Sequence, residues 1–239
     1  MFQAALESVG VFYSPPLQLS QDTLLSHFNA NFRTVTGEDP DLLRIAHRLR
    51  YQVYCVEKGF EQASDHADRL ERDEYDAHAT HGVLLDRVTQ EAVGTVRLIL
   101  PVADAIDESF PIQQVCPDSR LRKLLPLRST AEISRLGITR QCKGDPARVS
   151  RNSPLMRLGL IQMAVRMSVQ NGITHWCAII EPTMVRMMAA IGLYVQPVGG
   201  LVEYHGWRQP CICNLAEALL GVKRDRPSVW EVLTDVGTL

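Results

Sequence analysis

Two apolar runs of strand-like character, GTVRLILP at 94–101 and TAEISRLGIT at 130–139, carry charges at their centres. Arg97 interrupts the first, and Glu132 and Arg135 interrupt the second. A lone charge buried in a sheet is very costly. The fold must therefore bring opposite charges onto these strands or leave one of their faces wet. Glu132 and Arg135, three apart, point to opposite faces of a regular strand unless a bulge intervenes. Arg97 is a natural partner for the Glu132 carboxylate. On residues alone two readings stay open, a structural ion-pair network and a catalytic centre.

Further charged and aromatic residues precede these strands. Asp39 suits a helix N-cap and Pro40 the first helical position. Leu42, Leu43, Ile45, Ala46, Leu49, Val53 and Val56 recur at helical spacing as far as Gly59, a natural stop. Arg50 and Tyr54 sit one turn apart on that helix. The segment to residue 76 is polar and acidic and holds Asp73 and Asp76 in ERDEYDAH. Its length and lack of period predict a long loop or lid.

HGVLLDRV and AVGTVRLILP flank a TQEA turn and predict a hairpin. SPLMRLGLIQMAVRMSVQNG predicts a helix capped by Ser153, with Pro154 in its first turn. THWCAII reads as a short buried strand and EPTMVRMMAAIG as a helix. LYVQPVGG, LVEYHGW and QPCICNLA supply the last strands, and PSVWEVLTDVG a closing helix. The order defines an α+β domain, a mostly antiparallel sheet covered by helices with one parallel crossover. Residues 1–38 read as an N-terminal arm and 39–239 as a single domain.

Composition narrows the function. The 239 residues are 46% hydrophobic with a formal net charge of −2. That balance gives no case for nucleic-acid binding, although Arg120, Arg122, Lys123, Arg148 and Arg151 form a basic stretch that can steer an acidic partner. Residues 1–30 lack the pattern of a secretory signal, and no apolar run is long enough to span a bilayer. The expected location is cytoplasmic. The six scattered cysteines then read as reduced thiols. They and the histidines form no metal set, so no metal and no bound cofactor are expected.

The ordered set of motifs resembles the acyl-homoserine-lactone synthases and N-acyl amino acid synthases, within the wider GNAT-like acyltransferase fold. The matching positions are Arg50, Tyr54 and Phe60 in the early helix and loop, and Glu71, Asp73 and Asp76 in the acidic motif. Gly94, Arg97 and Pro101 match the next strand, Phe110 and Pro111 a phenylalanine-proline, and Glu132, Ser134 and Arg135 the E-x-S-R signature. Met184, Arg186, Gly192 and Gly199 match a downstream segment. Tyr54 and Phe60 replace the phenylalanine and tryptophan typical of lactone synthases. The overall pattern is similar to acyltransferases associated with bacterial exosortase (PEP-CTERM) systems.

The resemblance implies an N-acyltransferase that moves a fatty acyl group from a thioester to the amine of an amino acid or similar small acceptor. Acyl carrier protein or acyl-coenzyme A is the implied co-substrate, with the basic stretch suiting an acidic carrier protein. The alternatives are a lactone (autoinducer) synthase using S-adenosylmethionine, and a non-catalytic acyl-binding module. An ammonium acceptor must lose a proton before it attacks, and Glu132 is the first candidate base, with Asp73 or Asp76 as alternatives. Arg97 and Arg135 would lock the acids in place or hold the acceptor carboxylate. Arg50, Tyr54, Phe60 and Phe110 would form the acceptor side. Arg140 and Ser153 mark a pantetheine entrance, and Met163, Met167, Trp176 and Met187 an acyl tunnel. A lipid product would allow peripheral membrane contact.

Overall fold

The computed structural model describes residues 23–116, 120–141 and 146–239. One sheet runs through it in the order β1-β2-β3-β4-β5-β8-β6, with β7 paired to β8. Strands β1 (Phe32–Gly37), β2 (Ala79–Asp86), β3 (Ala92–Ile99) and β4 (Thr130–Ile138) form an antiparallel half. Strands β5 (His175–Ile180) and β8 (Trp207–Asn214) form the other, with two-residue pieces β6 (Gln196–Pro197) and β7 (Val202–Glu203) at its edge. Among the described residues the one parallel contact joins the halves, between β4 and β5.

Helices cover both faces. Helix α1 (Leu24–Asn31) is capped by Thr23, whose hydroxyl accepts the Ser26 N–H. Helix α2 (Pro40–Arg50) is capped by Asp39, as its sequence predicts. Its continuation, Tyr51–Glu57, winds as a π-helix. Two short helices, α3 (Pro111–Val115) and α4 (Arg120–Leu124), precede β4. Then come α5 (Pro146–Gln170), α6 (Pro182–Ala190), α7 (Leu215–Asp225) and α8 (Pro227–Thr234).

The alternation of β2 and β3 sorts the layers. Leu84, Val96 and Leu98 join the large core under α5, while Val83 packs beneath Leu42 and Ala46 of α2. Glycines let helix α5 and the sheet approach each other closely. A Cβ on Gly159 would stand 2.8 Å from Leu84 Cδ1 and 3.1 Å from Phe28. Gly159→Ala should therefore destabilise the fold by about 1–3 kcal/mol, although alanine is the better helix former. A melting temperature at or above wild type would count against this packing.

Four features depart from the sequence reading. Residues 23–37 are no arm: Phe28 and Phe32 are buried in the main core, and β1 pairs with β2 along its whole length. Residues 1–22 lie outside the described residues. Helix α5 starts at Pro146, so Ser153 is an interior position and not a cap. Pro146 takes the first turn, where a missing N–H costs nothing, and Pro154 is carried inside. The segments LYVQPVGG and LVEYHGW yield only β6 and β7. Residues 215–225 form α7, capped by Asn214, where no helix was expected.

Candidate active site

The pairing of β4 with β5 lasts for three residue pairs, Thr130–Glu132 against His175–Cys177. Beyond it β4 stays with β3 and β5 stays with β8, so the two strands part. The gap holds a cavity of about 220 Å³, well above the roughly 10–15 Å³ that one water needs. Ile161, Ala164, Met184, Met187 and Met188 line it from α5 and α6. Tyr54, Phe60, Arg97 and Arg135 line it from the α2 face, and Glu132 sits at the fork.

A bulge gives β4 its chemistry. The register against β3 slips by one residue between the pairs Thr95–Gly137 and Arg97–Ser134. Arg135 takes up the extra residue at φ +48°, a conformation that costs a non-glycine residue about 1–2 kcal/mol. The bulge brings Glu132, Ser134 and Arg135 to one face and interrupts the backbone ladder beside Arg135 and Leu136. The opposite-face geometry of a regular strand does not apply here.

Arg97 does not pair with Glu132, contrary to the sequence expectation. Its Nε donates to Ser134 Oγ (2.9 Å), and its Nη1 to Asp76 Oδ1 (2.8 Å) and to Asp73. Arg50 donates to Glu71 and, at 2.6 Å, to Asp76. Arg135 Nη2 donates to Glu61 (3.0 Å), Glu71 (2.9 Å) and Asp73 (3.1 Å). Three guanidiniums and four carboxylates thus interlock, and Arg97 and Arg135 belong to an ion-pair network. Burial pushes the Glu71 carboxyl up, but the Arg50 hydrogen bond and the two arginine charges win and hold it at about 2. The same balance, led by Arg50, keeps Asp76 well below the usual carboxylate range.

Glu132 stands outside that network. It is 2% exposed, and its carboxyl accepts the Ile112 N–H at 2.8 Å. Burial drives its pKa up to about 8, against the pull of that N–H and of Arg97 and Arg135. A carboxyl that releases its proton near working pH suits general base chemistry.

The other expected residues divide. Tyr54 and Phe60 line the cavity with rings 6.5 Å apart, and the Arg135 guanidinium lies 5.3 Å from the Tyr54 ring centre. Burial lifts the Tyr54 phenol to about 12. The π-helix that carries Tyr54 is a rare element, frequent at functional sites. Arg50 is fully buried behind the acids and touches no part of the cavity, so it positions them and is no acceptor contact. Phe110 is fully buried in the smaller core, and its neighbour Pro111 lines the cavity in its place. Asp73 and Asp76 belong to the network and not to the cavity wall.

Trp176 and Met187 line the cavity, and Trp176 Nε1 donates to Ser168 Oγ at 2.7 Å. Met163 and Met167 are fully buried in the α5 core and line no part of it, because that stretch of α5 faces the sheet. Arg140 is exposed and donates its backbone N–H to Glu57. Arg148 is held by Asp86 through two hydrogen bonds, while Lys123 and Arg151 are exposed. The side chains of Arg120 and Arg122, and the basic loop residues 142–145, lie outside the described residues.

Several cavity residues escaped the sequence reading. Tyr204, His205 and Arg208 arrive on the β7–β8 hairpin, far from the motifs, and Lys58 and Glu61 flank Phe60. The only hint in sequence was the His205-Gly206 pair, which takes positive φ at the hairpin turn. His47, Asp76 and His81 bring ligand-type atoms within 4.8 Å of one another. Asp76 Oδ1 already accepts from Arg50 and Arg97, so a cation there would sit against two guanidiniums.

The acetyltransferase (GNAT) domain family matches residues 49–149. The chain carries that domain, and its parted sheet with flanking helices is the GNAT fold. Among solved structures it is similar to the AHL synthase LasI at 23% identity and a TM-score of 0.58, over 76% of this chain and 88% of that one. It is similar to TofI, solved in a ternary complex with an inhibitor and MTA, at 21% identity and 0.59, over 82% and 99%. The CoA-dependent acyl-homoserine lactone synthase BjaI, with SAM and isopentyl-CoA, matches at 19% and 0.58, over 86% and 88%. No curated protein sequence matches the chain. These are likenesses of fold; no helix among the described residues is long and apolar enough to cross a membrane.

Proposed function

We propose that this protein is an N-acyltransferase that moves a fatty acyl group from a thioester to the amine of a small acceptor, an amino acid or a close analogue. The observation that carries the reading is Glu132, a buried carboxyl with a pKa raised to about 8 at the fork of β4 and β5. The thioester carbonyl enters the gap with its chain towards the apolar wall of α5 and α6. Glu132, directly or through water, takes a proton from the acceptor ammonium. The amine attacks the carbonyl carbon, and the oxyanion is met by backbone N–H groups at the bulge. The intermediate collapses to an amide as its nitrogen gives up a second proton to solvent, and the departing thiolate leaves as a thiol with the first proton returned from Glu132.

Tyr54 and Phe60 support an acyl amino acid product over a lactone, because a tyrosine and a phenylalanine stand where lactone synthases carry other aromatics. The exposed Lys123 and Arg151 support acyl carrier protein as the donor. The test combines purified protein with acyl carrier protein or coenzyme A thioesters and either an amino acid or S-adenosylmethionine, with products read by mass spectrometry. An acyl amino acid is expected, formed faster from the carrier-protein donor. A lactone with methylthioadenosine would move the chain to the autoinducer synthases, and acyl binding without any product would make it a binding module.

A further inference from the structure

The arginines expected to hold an acceptor carboxylate are already committed. Arg97 is 1% exposed and directs its donors at Ser134, Asp73 and Asp76. Arg135 serves Glu61, Glu71 and Asp73. Three guanidiniums against four carboxylates leave the network behind this side of the cavity net negative. It attracts an ammonium and repels a carboxylate.

Cations without such commitments stand at another part of the same cavity. Lys58 Nζ lies 5.3 Å from the Phe60 ring centre and 5.5 Å from that of Tyr54. It makes no hydrogen bond or ion pair among the described residues. The Arg208 guanidinium lies 5.5 Å from the same Phe60 ring. Its one carboxylate, Glu181, is 3.4 Å away and half exposed, and such a pair is worth little. Both cations line the cavity with Glu132. Burial against the cavity wall draws the lysine ammonium below its usual range, which favours gaining an anionic partner there.

We propose that Lys58 and Arg208, set around Phe60, form the receptor for the acceptor's carboxylate, so that the acceptor class is the zwitterionic amino acids. The inference rests on the acyl-transfer reading. The acceptor lies with its ammonium towards Glu61 and Glu132 and its carboxylate towards Lys58 and Arg208. The cavity thereby reads the charge separation of an α-amino acid, and a neutral amine satisfies only half of it.

The experiment compares matched acceptors, leucine and leucinamide, glycine and glycinamide, with one acyl donor and the full chain. Wild-type enzyme should show a KM for each amino acid at least tenfold below that of its amide. Lys58→Met and Arg208→Met should each raise the amino-acid KM by about 10- to 100-fold, so that the acid-over-amide preference falls towards one. Lys58→Arg should keep the preference. The KM of the donor should not move. Equal use of acid and amide by wild type overturns the inference and leaves acyl transfer standing. A rise confined to the donor KM overturns it too, assigning the two cations to the donor's phosphate. No turnover with any acceptor sinks acyl transfer and this inference together.

Discussion

Replacing Glu132 with glutamine is expected to lower kcat by about 10²–10⁴-fold and to leave a folded protein. Glutamine keeps the shape and an oxygen for the Ile112 N–H, but it cannot take a proton. The wild-type rate should rise with pH through about 8, as the buried carboxyl becomes a base. Stability should move the other way. The folded pKa lies above the ordinary value of 4.5, so the neutral form is the one the fold prefers. The contribution is fully present below about pH 4.5 and lost as pH rises through about 8. Melting curves from pH 5 to 9 should drift down for wild type and less for the variant. Unchanged kcat in the glutamine variant would remove Glu132 from the mechanism.

Arg50→Met is expected to have the largest effect on stability. Arg50 is fully buried, and its loss strands Glu71, 1% exposed, and weakens the hold on Asp76. Removing one partner of a buried pair costs about 3–5 kcal/mol, or roughly 6–20 °C in melting temperature for a chain of this size. Neutralising the stranded acid as well, in Arg50→Met with Glu71→Gln, should recover part of the loss. A single variant that melts within about 2 °C of wild type would show that the network is not what holds this face.

The hairpin, the third strand and helices α2, α5, α6 and α8 were legible because each follows a local rule: alternation in β2, β3 and β4, and helical spacing with Asp39 and Pro40 in α2. Glu132 and Arg97 were legible as charges out of place in apolar strands. Their partners were not. Pairing Arg97 with Asp73 and Asp76, and leaving Glu132 with one backbone N–H, depends on the bulge at Arg135, and a one-residue slip between strands has no local signature. The same bulge explains how two residues three apart come to share a face. Lys58, Tyr204 and Arg208 were invisible as a group because Lys58 ends the π-helical turn while the other two ride a short hairpin some 150 residues away. β1 escaped because FRTVTG alternates weakly, and its place is set by pairing with β2 and by Phe28 and Phe32 beneath it.

The two halves of the sheet are stitched together by only three rungs, and Glu132 occupies the last of them. A zip that ends on its working tooth couples two quantities that other architectures keep apart. Adding a rung would narrow the slot beside the carboxylate; removing one would widen the slot and loosen the backbone that holds the base. Slot width and proton affinity therefore cannot drift independently in this protein. A substitution next along the seam, at Thr130 or Ala131, should be felt as a change in the acidity of Glu132.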